Sequence, residues 1–359
     1  MSAGALEAAF PALADTLPHI VLGALPTPVA DTPALARALG VAALAVKRDD
    51  LTSPVYGGNK VRKLEYLLAD ALASGCDTIV TFGTAGSNHA LAASLFAGRL
   101  GLACHAVLLD QVITPWVADS LRHHLLLGTR LHPARSYNHS LELAARIRER
   151  HPGGAQRVYE IPWGGSNWRG AVGFVGAALE FAGQCASGEE PEYLYVAGGT
   201  MGTAIGLTLG LRVAGLATRV VAPRVVPFGD GANSRVAALL AETNRALHDR
   251  DRCFPLLDEP MRTLELREEF LGDGYAQATP ASLEAVAMMR ELAGIRLETT
   301  YTAKALAALI ADARSGRLAG RRVVFWNTYN SAPYPAGIAE VDLTALPEPL
   351  ARYLRTAAR

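Results

Sequence analysis

Short runs of apolar and β-branched residues recur along this chain, separated by longer stretches with helical spacing. The runs are TIVTFG (78–83), CHAVLL (104–109), EYLYVAGG (192–199), TRVVAPRVV (218–226) and RRVVFWNT (321–328). Their alternation with helical patterns predicts parallel strands joined by crossover helices, and so an α/β fold. In such folds, ligands sit where loops leave the carboxyl ends of strands. Three runs end in polar or glycine-rich loops of this kind: GTAGSNHA (83–90), AGGTMGT (197–203) and NTYNSAP (327–333). A strongly periodic helix follows Gly57 and Gly58, with an apolar stripe of Val61, Leu64, Leu67, Leu68 and Leu72. ERHPGGAQ (149–156) reads as an exposed connection, and 229–235 and 250–262 read as irregular. No repeat of fixed period shows.

Composition narrows the function classes. With 359 residues, half of them apolar, the chain can bury a large core and divide into two domains. Basic and acidic residues balance at 34 each, so no basic surface for nucleic acid or anionic membrane is implied. Cys76, Cys104, Cys185 and Cys253 are widely spread with no C-x-x-C pair, which fits reduced thiols better than a disulfide framework or a zinc site. The N-terminal stretch lacks the pattern of a secretory signal. No apolar run of about 18 residues suggests a membrane span.

The candidate chemistry starts at VYGGNKVRKLEY (55–66), where two glycines bring Lys60 to the first turn of a helix. A helix N-terminus disfavours an ammonium, whereas an uncharged amine is tolerated there. The helix dipole, Arg62 and Lys63 would all push the Lys60 pKa downward. The same spacing also fits Lys60 and Lys63 as decoration on a solvent-facing side. At EYLYVA-GGTMGT-AIGLTLGL a strand, a glycine turn and a helix start follow one another. Free backbone N–H groups converge on an anion in that geometry, although a plain tight turn reads alike. No G-K-[ST] tripeptide occurs, nor a G-x-G-x-x-G fingerprint with its acidic partner, since no Asp or Glu follows the turn until Asp230. The anion expected is therefore a lone phosphate monoester. A neutralisable amine, a phosphate cradle and a polar loop together suggest pyridoxal 5'-phosphate, whose aldehyde forms an imine with a lysine.

GGNKVRKLEYLLADALASGCDTIVTFG with SNHA, YEIPWGGSNWRGAVGF (159–174), AGGTMGT and LEAVAMMRELAGIRLETTYTAKAL (283–306) occur in this order. Over about residues 20–340 the chain resembles the family of D-cysteine desulfhydrases and 1-aminocyclopropane-1-carboxylate deaminases. These enzymes use pyridoxal phosphate on the two-domain tryptophan-synthase-β-like fold, fold type II, with parallel-rich twisted sheets flanked by helices. The resemblance implies Lys60 as the imine lysine and as the carrier of protons to and from the substrate carbon, with Lys63 left as a helix-face cation. It implies Asn88 at the ring's phenolic oxygen, Ser87 near the substrate and His89 as loop support. Ala197, Gly198, Gly199, Thr200, Gly202 and Thr203 would hold the phosphate, with Thr203 as side-chain donor. Tyr275 and Tyr301 would face cofactor and substrate, and Thr328 would sit at the pyridine nitrogen.

A neutral hydroxyl at that nitrogen weakens the ring as an electron sink but suffices for β-elimination. Ring opening in the deaminase is accompanied by a glutamate after the tyrosine, where this chain has Thr302. The expectation is thus a β-eliminating lyase on a small amino acid, giving pyruvate, ammonia and the leaving group. The alternatives are a 1-aminocyclopropane-1-carboxylate deaminase, a β-replacement enzyme, or a non-catalytic binding protein on the same fold. By resemblance it is a cytoplasmic homodimer that uses no metal, its large domain formed by 1–58 and 165–359, its small one by 59–164, and the active site in the cleft. Departures touch the substrate side. Gly86 stands where the family usually has glutamine, Leu91 and Ala92 follow where a polar or basic residue is usual, and Tyr329 and Asn330 replace glycines.

Overall fold

A computed structural model of the chain describes residues 4–227, 229 and 231–355; Phe228, Asp230 and both chain ends lie outside the described residues. The described strands are β1 (Val29–Asp31), β2 (Ala43–Lys47), β3 (Thr78–Thr84), β4 (Ala103–Leu109), β5 (Arg130–Ala134), β6 (Val158–Ile161), β7 (Tyr193–Tyr195), β8 (Arg219–Pro223), β9 (Leu264–Arg267) and β10 (Arg322–Trp326). They form a six-stranded sheet in the order β1-β2-β10-β7-β8-β9 and a four-stranded sheet in the order β5-β4-β3-β6. Every pairing is parallel except β1 with β2. This is the expected α/β class, with helices between the strands.

Contacts divide the chain into two compact units. The first comprises Met1–Leu17, Gly23–Lys63 and Ser166–Ser331, and the second Pro18–Leu22, Leu64–Gly165 and Ala332–Arg359. The grouping differs from the expected boundaries at four places: residues 59–63 group with the first unit, and Pro18–Leu22, Gly165 and the segment from Ala332 group with the second. Leu346, Leu350 and Tyr353 of that segment are buried against Ala85, Val117 and Leu121, which draws it into the second unit's core.

The continuous apolar runs have a physical reason in both sheets. Successive side chains of a strand point to opposite faces, so a strand covered on both sides must be apolar at every position. In β10, Val323 and Phe325 enter a core with Leu35, Leu306 and Leu309, while Val324 and Trp326 enter another with Phe174, Ile205 and Leu207. In β4, Ala106 and Leu108 pack toward Val117 and Leu121, and Val107 packs toward Phe82 and Val158.

The helix Lys60–Ala73 departs from its expected amphipathic form. Residues 61–69 are buried on every side, Lys63 and Arg62 included at 2% exposure each, whereas Leu72, assigned to the apolar stripe, is exposed. The stretch 250–262 is irregular as expected, but 229–235 is not, since a helix Ala232–Arg250 begins inside it. All four cysteines are free thiols. Among the described residues no helix is long and apolar enough to cross a membrane.

Candidate active site

The glycine pair answers a steric demand. A Cβ on Gly57 would lie 2.1 Å from the Asp50 carbonyl oxygen, and one on Gly58 2.8 Å from that of Thr328. Gly58 also has φ +90°, which side chains other than hydrogen rarely adopt. The loop is thereby pressed against the carboxyl ends of β2 and β10. The Gly58 N–H donates to the Asp49 carbonyl (2.8 Å), the Asn59 N–H to the Thr328 carbonyl (3.2 Å) and the Gly57 N–H to Asn330 Oδ1 (2.7 Å). Lys60 follows at once and opens the helix there.

Three cations of this first turn meet different surroundings. Lys60 is half-buried and its Nζ donates to Asn59 Oδ1 at 2.8 Å. Burial brings its ammonium down to about 8, against an opposing pull from the Glu298 carboxylate. The cause therefore differs from the one expected, which was the helix dipole together with the charges of Arg62 and Lys63. Arg62 points into a buried ionic cluster. It bonds Asp49 Oδ1 at 2.8 Å and Glu180 Oε2 at 2.9 Å, and those carboxylates raise its pKa. Lys47 completes the cluster on Glu180 Oε1 at 2.5 Å, and the Trp326 indole donates to Asp49 at 2.8 Å. Lys63 is not the solvent-facing cation expected. Its Nζ donates to Ser166 Oγ at 3.0 Å, and burial together with the charge of Lys60 holds it well below the lysine range.

Ser166 leads straight to the glycine turn. Its hydroxyl lies 2.7 Å from Thr200 Oγ1 and accepts the Gly202 N–H at 3.2 Å. Gly202 opens a helix, Gly202–Val213, that has no side-chain cap, and Met201 before it holds φ +69°. A non-glycine residue in that region is strained, a condition found most often in functional loops. The N–H groups of Gly199 and Thr200 meet no acceptor among the described residues. Those of Gly198 and Val225 are spent instead on a bridge between the turn and residues 223–225, donating to Pro223 and Gly198 carbonyls. Thr203 accepts from Asn59 Nδ2 at 3.0 Å, so Asn59 ties Lys60 to the turn. An uncapped helix start, three hydroxyls and a buried amine within one cradle match a phosphate in donor type and charge. Ala197, half-buried, precedes the turn directly.

Tyr275 and Tyr301 are brought together, their hydroxyl oxygens 2.7 Å apart and their rings edge to face at 75°. Burial first, and Tyr275 second, push the Tyr301 phenol well above its usual range. A Cβ on Gly199 would meet the Tyr301 ring at 3.4 Å, so this ring lies against the glycine turn. Two residues that motif reading overlooked hold the pair. Glu298 accepts the N–H groups of Thr300 (2.7 Å), Tyr301 (2.8 Å) and Thr302 (2.7 Å) and lies 3.1 Å from the Thr302 hydroxyl, closing the start of the helix Thr302–Arg314. Lys304, fully buried, donates to the Leu271 and Gly274 carbonyls at 2.7 and 3.1 Å, just ahead of Tyr275. Neither shows in a motif, because a carboxylate three residues before a helix N-cap and a lysine inside a helix both have ordinary surface readings. Thr328 is half-buried, and its carbonyl is the acceptor for Asn59 described above.

In the second unit, Ser87 caps the helix Asn88–Arg99, its Oγ accepting the Ala90 N–H at 3.2 Å. Asn88 is the first residue of that helix and half-buried. His89 is buried, with Nε2 3.2 Å from Thr81 Oγ1 on β3.

The chain matches the family described as pyridoxal-phosphate dependent enzyme over residues 20–328. It is 33% identical over 297 residues to a D-cysteine desulfhydrase of Klebsiella pneumoniae, covering 82% of this chain and 88% of that one. A D-cysteine desulfhydrase of Salmonella choleraesuis is 34% identical over 318 residues, with the same coverage of 82% and 88%. Among solved structures, an ACC deaminase homologue superimposes with a TM-score of 0.79 at 30% identity, covering 94% of this chain and 99% of that one. Maize serine racemase, at 17% identity and a TM-score of 0.60, shares the fold. The glycine turn, the lysine that opens a helix, and the sequence around both thus fall inside one matched region, and the chain belongs to the pyridoxal-phosphate-dependent enzyme family.

Proposed function

We propose that this enzyme is a D-cysteine desulfhydrase-like lyase, which removes a β-substituent from a small amino acid and gives pyruvate, ammonia and the leaving group. The observation that carries the proposal is Lys60, an amine whose pKa lies near 8, tied through Asn59 to an uncapped, glycine-lined helix start. Such an amine is neutral in a usable fraction near neutral pH, as a nucleophile and proton carrier must be.

When bound, pyridoxal phosphate supplies an aldehyde for a lysine and a ring that draws electrons from the substrate's α-carbon. The residues divide the remaining work. Lys60 would be the amine that holds the aldehyde and, once the substrate's own amine has taken its place, the base that moves the α-proton. The Gly199 and Thr200 N–H groups, the Thr200 and Thr203 hydroxyls and Lys63 would hold the phosphate, with Ala197, Gly198 and Gly202 shaping the turn around it. Asn88 would serve the phenolic oxygen and Ser87 the substrate, and Tyr275 with Tyr301 would line the substrate side. Thr328 would offer the pyridine nitrogen a neutral hydroxyl, which suits elimination of a good leaving group. Thr302 favours the same reading. Its hydroxyl and N–H are both turned to Glu298, whose oxygens are in turn taken up by N–H and O–H groups, so neither offers a free acid for ring opening. As part of this reading the enzyme works as a homodimer in the cytoplasm.

The experiment is an absorption spectrum of the purified enzyme followed by product analysis with D-cysteine, β-chloro-D-alanine and 1-aminocyclopropane-1-carboxylate. A band near the visible edge that is lost in Lys60→Ala, and pyruvate from the first two compounds, is the expected outcome. Turnover of the cyclopropane alone would establish the deaminase, and capture of an added thiol the β-replacement enzyme. An unchanged spectrum in Lys60→Ala would refute the assignment of the lysine.

A further inference from the structure

Gly86, directly before Ser87, has its side-chain space filled from elsewhere. A Cβ there would lie 2.9 Å from Val117 Cγ2 and 3.1 and 3.2 Å from the amide nitrogen and oxygen of Gln111. The Gln111 side chain enters this space for a definite bond, its Oε1 accepting the Gly86 N–H at 2.9 Å. The flanking N–H groups are satisfied by backbone alone, Ala85 on the Leu109 carbonyl and Ser87 on that of Thr84, both at 2.9 Å. Gln111 is therefore the side chain that fixes the middle of the turn between β3 and the helix Asn88–Arg99.

Gln111 itself sits in a loop beyond β4 and is held by the far end of the chain. Tyr353, 1% exposed, lies in the helix Glu348–Arg355 and packs among Ala85, Val117 and Leu121. Its hydroxyl accepts the Gln111 N–H at 2.8 Å and donates to the Asp110 carboxylate, which also pairs with Arg352. The contacts run without a gap from Tyr353 through Gln111 to Gly86.

We propose that Gln111 and Tyr353 are positioning residues, through which the C-terminal segment clamps the turn that carries Ser87 and Asn88. The link to catalysis rests on the roles given above to Ser87 and Asn88. The clamp acts through geometry, since Gln111 presents a neutral amide and Tyr353 is buried under its own helix. It also accounts for glycine at position 86: the polar group that serves this turn comes from position 111, and a side chain at 86 would expel it.

The test uses the full-length holoenzyme and three variants. Gln111→Leu removes the acceptor at similar volume, Gln111→Glu keeps an acceptor, and Tyr353→Phe keeps the ring but removes the hydroxyl, with Arg352 still beside Asp110. Hydrogen–deuterium exchange is read without substrate for peptides covering 84–91 and 78–83. Loss of one such bond should speed exchange in 84–91 about tenfold in Gln111→Leu and Tyr353→Phe, leave 78–83 unchanged, and be reversed in Gln111→Glu. KM for the substrate found in the product analysis should rise by a similar factor, with kcat altered less than about twofold. Unchanged exchange at 84–91, or a lowered melting temperature with KM unmoved, overturns the proposal. Faster exchange in an enzyme that turns over none of the amino acids leaves the clamp standing and refutes the lyase reading instead.

Discussion

Arg62 and Lys63 are adjacent on one helix and equally buried, yet they are driven in opposite directions. Arg62 faces two carboxylates and stays charged, while Lys63 faces a serine hydroxyl and gives up its proton readily. Lys60, one turn earlier, donates to the Asn59 amide oxygen and follows Lys63. Removing a cation from water is costly everywhere, and a nearby anion decides whether the charge survives. The ionic cluster around Arg62 is thus scaffold, whereas burial lowers the pKa of both lysines.

The largest expected effect comes from deleting the reactive member. Lys60→Ala should lower kcat/KM by on the order of 10²–10⁴-fold or more, measured as pyruvate release, while the chain still folds. An active Lys60→Ala enzyme would break the contrast. Next comes the scaffold side, where Glu180→Ala leaves Arg62 and Lys47 under-compensated in a buried site. It should cost about 3–5 kcal/mol in urea unfolding of the apoprotein, with any remaining folded enzyme keeping the spectrum of bound cofactor. Lys63→Met should weaken pyridoxal phosphate binding by about ten- to a hundredfold in a fluorescence titration, the size of one charge-assisted hydrogen bond. Unaltered affinity would return Lys63 to a packing role.

The smallest effect sharpens the contrast from the other side. Lys60 becomes neutral as pH rises through about 8, whereas an ordinary lysine does so near 10.5. Reaction of the apoprotein with a small aldehyde should therefore increase with pH around 8. Glu298 is the one carboxylate that pulls the Lys60 pKa upward, so Glu298→Gln should move the midpoint of that curve to lower pH, by about one unit or less. A midpoint that rises instead would mean that Glu298 acts on Lys60 mainly through the backbone it holds.

Much of the architecture was legible because burial on both faces leaves a plain mark. β7, β8 and β10 fall within the apolar runs and β3 and β4 overrun theirs by one residue, although β7 covers only three residues of its run. β5, as RLHPA, and β9, as LELR, carry charge or proline and half-buried positions, so their pairing depends on neighbours and not on their own pattern. β2 is an alanine-rich stretch whose parallel partner, β10, lies almost 280 residues away. The site divides in the same way. GGNK and GGTMGT are visible because a close backbone approach demands glycine. Glu298, Lys304, Ser166 and Gln111 are invisible because their meaning lies in what they touch, and a single lysine such as Lys63 reads as surface until its partners are known.

Asn330, which the resemblance puts on the substrate side, lends its carboxamide to the Gly57 amide, so substrate fit and the mount of the reactive lysine would share one side chain. Anyone trimming position 330 to admit a bulkier amino acid would loosen the mount by the same stroke. Redesign for new substrates has more freedom at Tyr329, whose phenol carries no such duty among the described contacts.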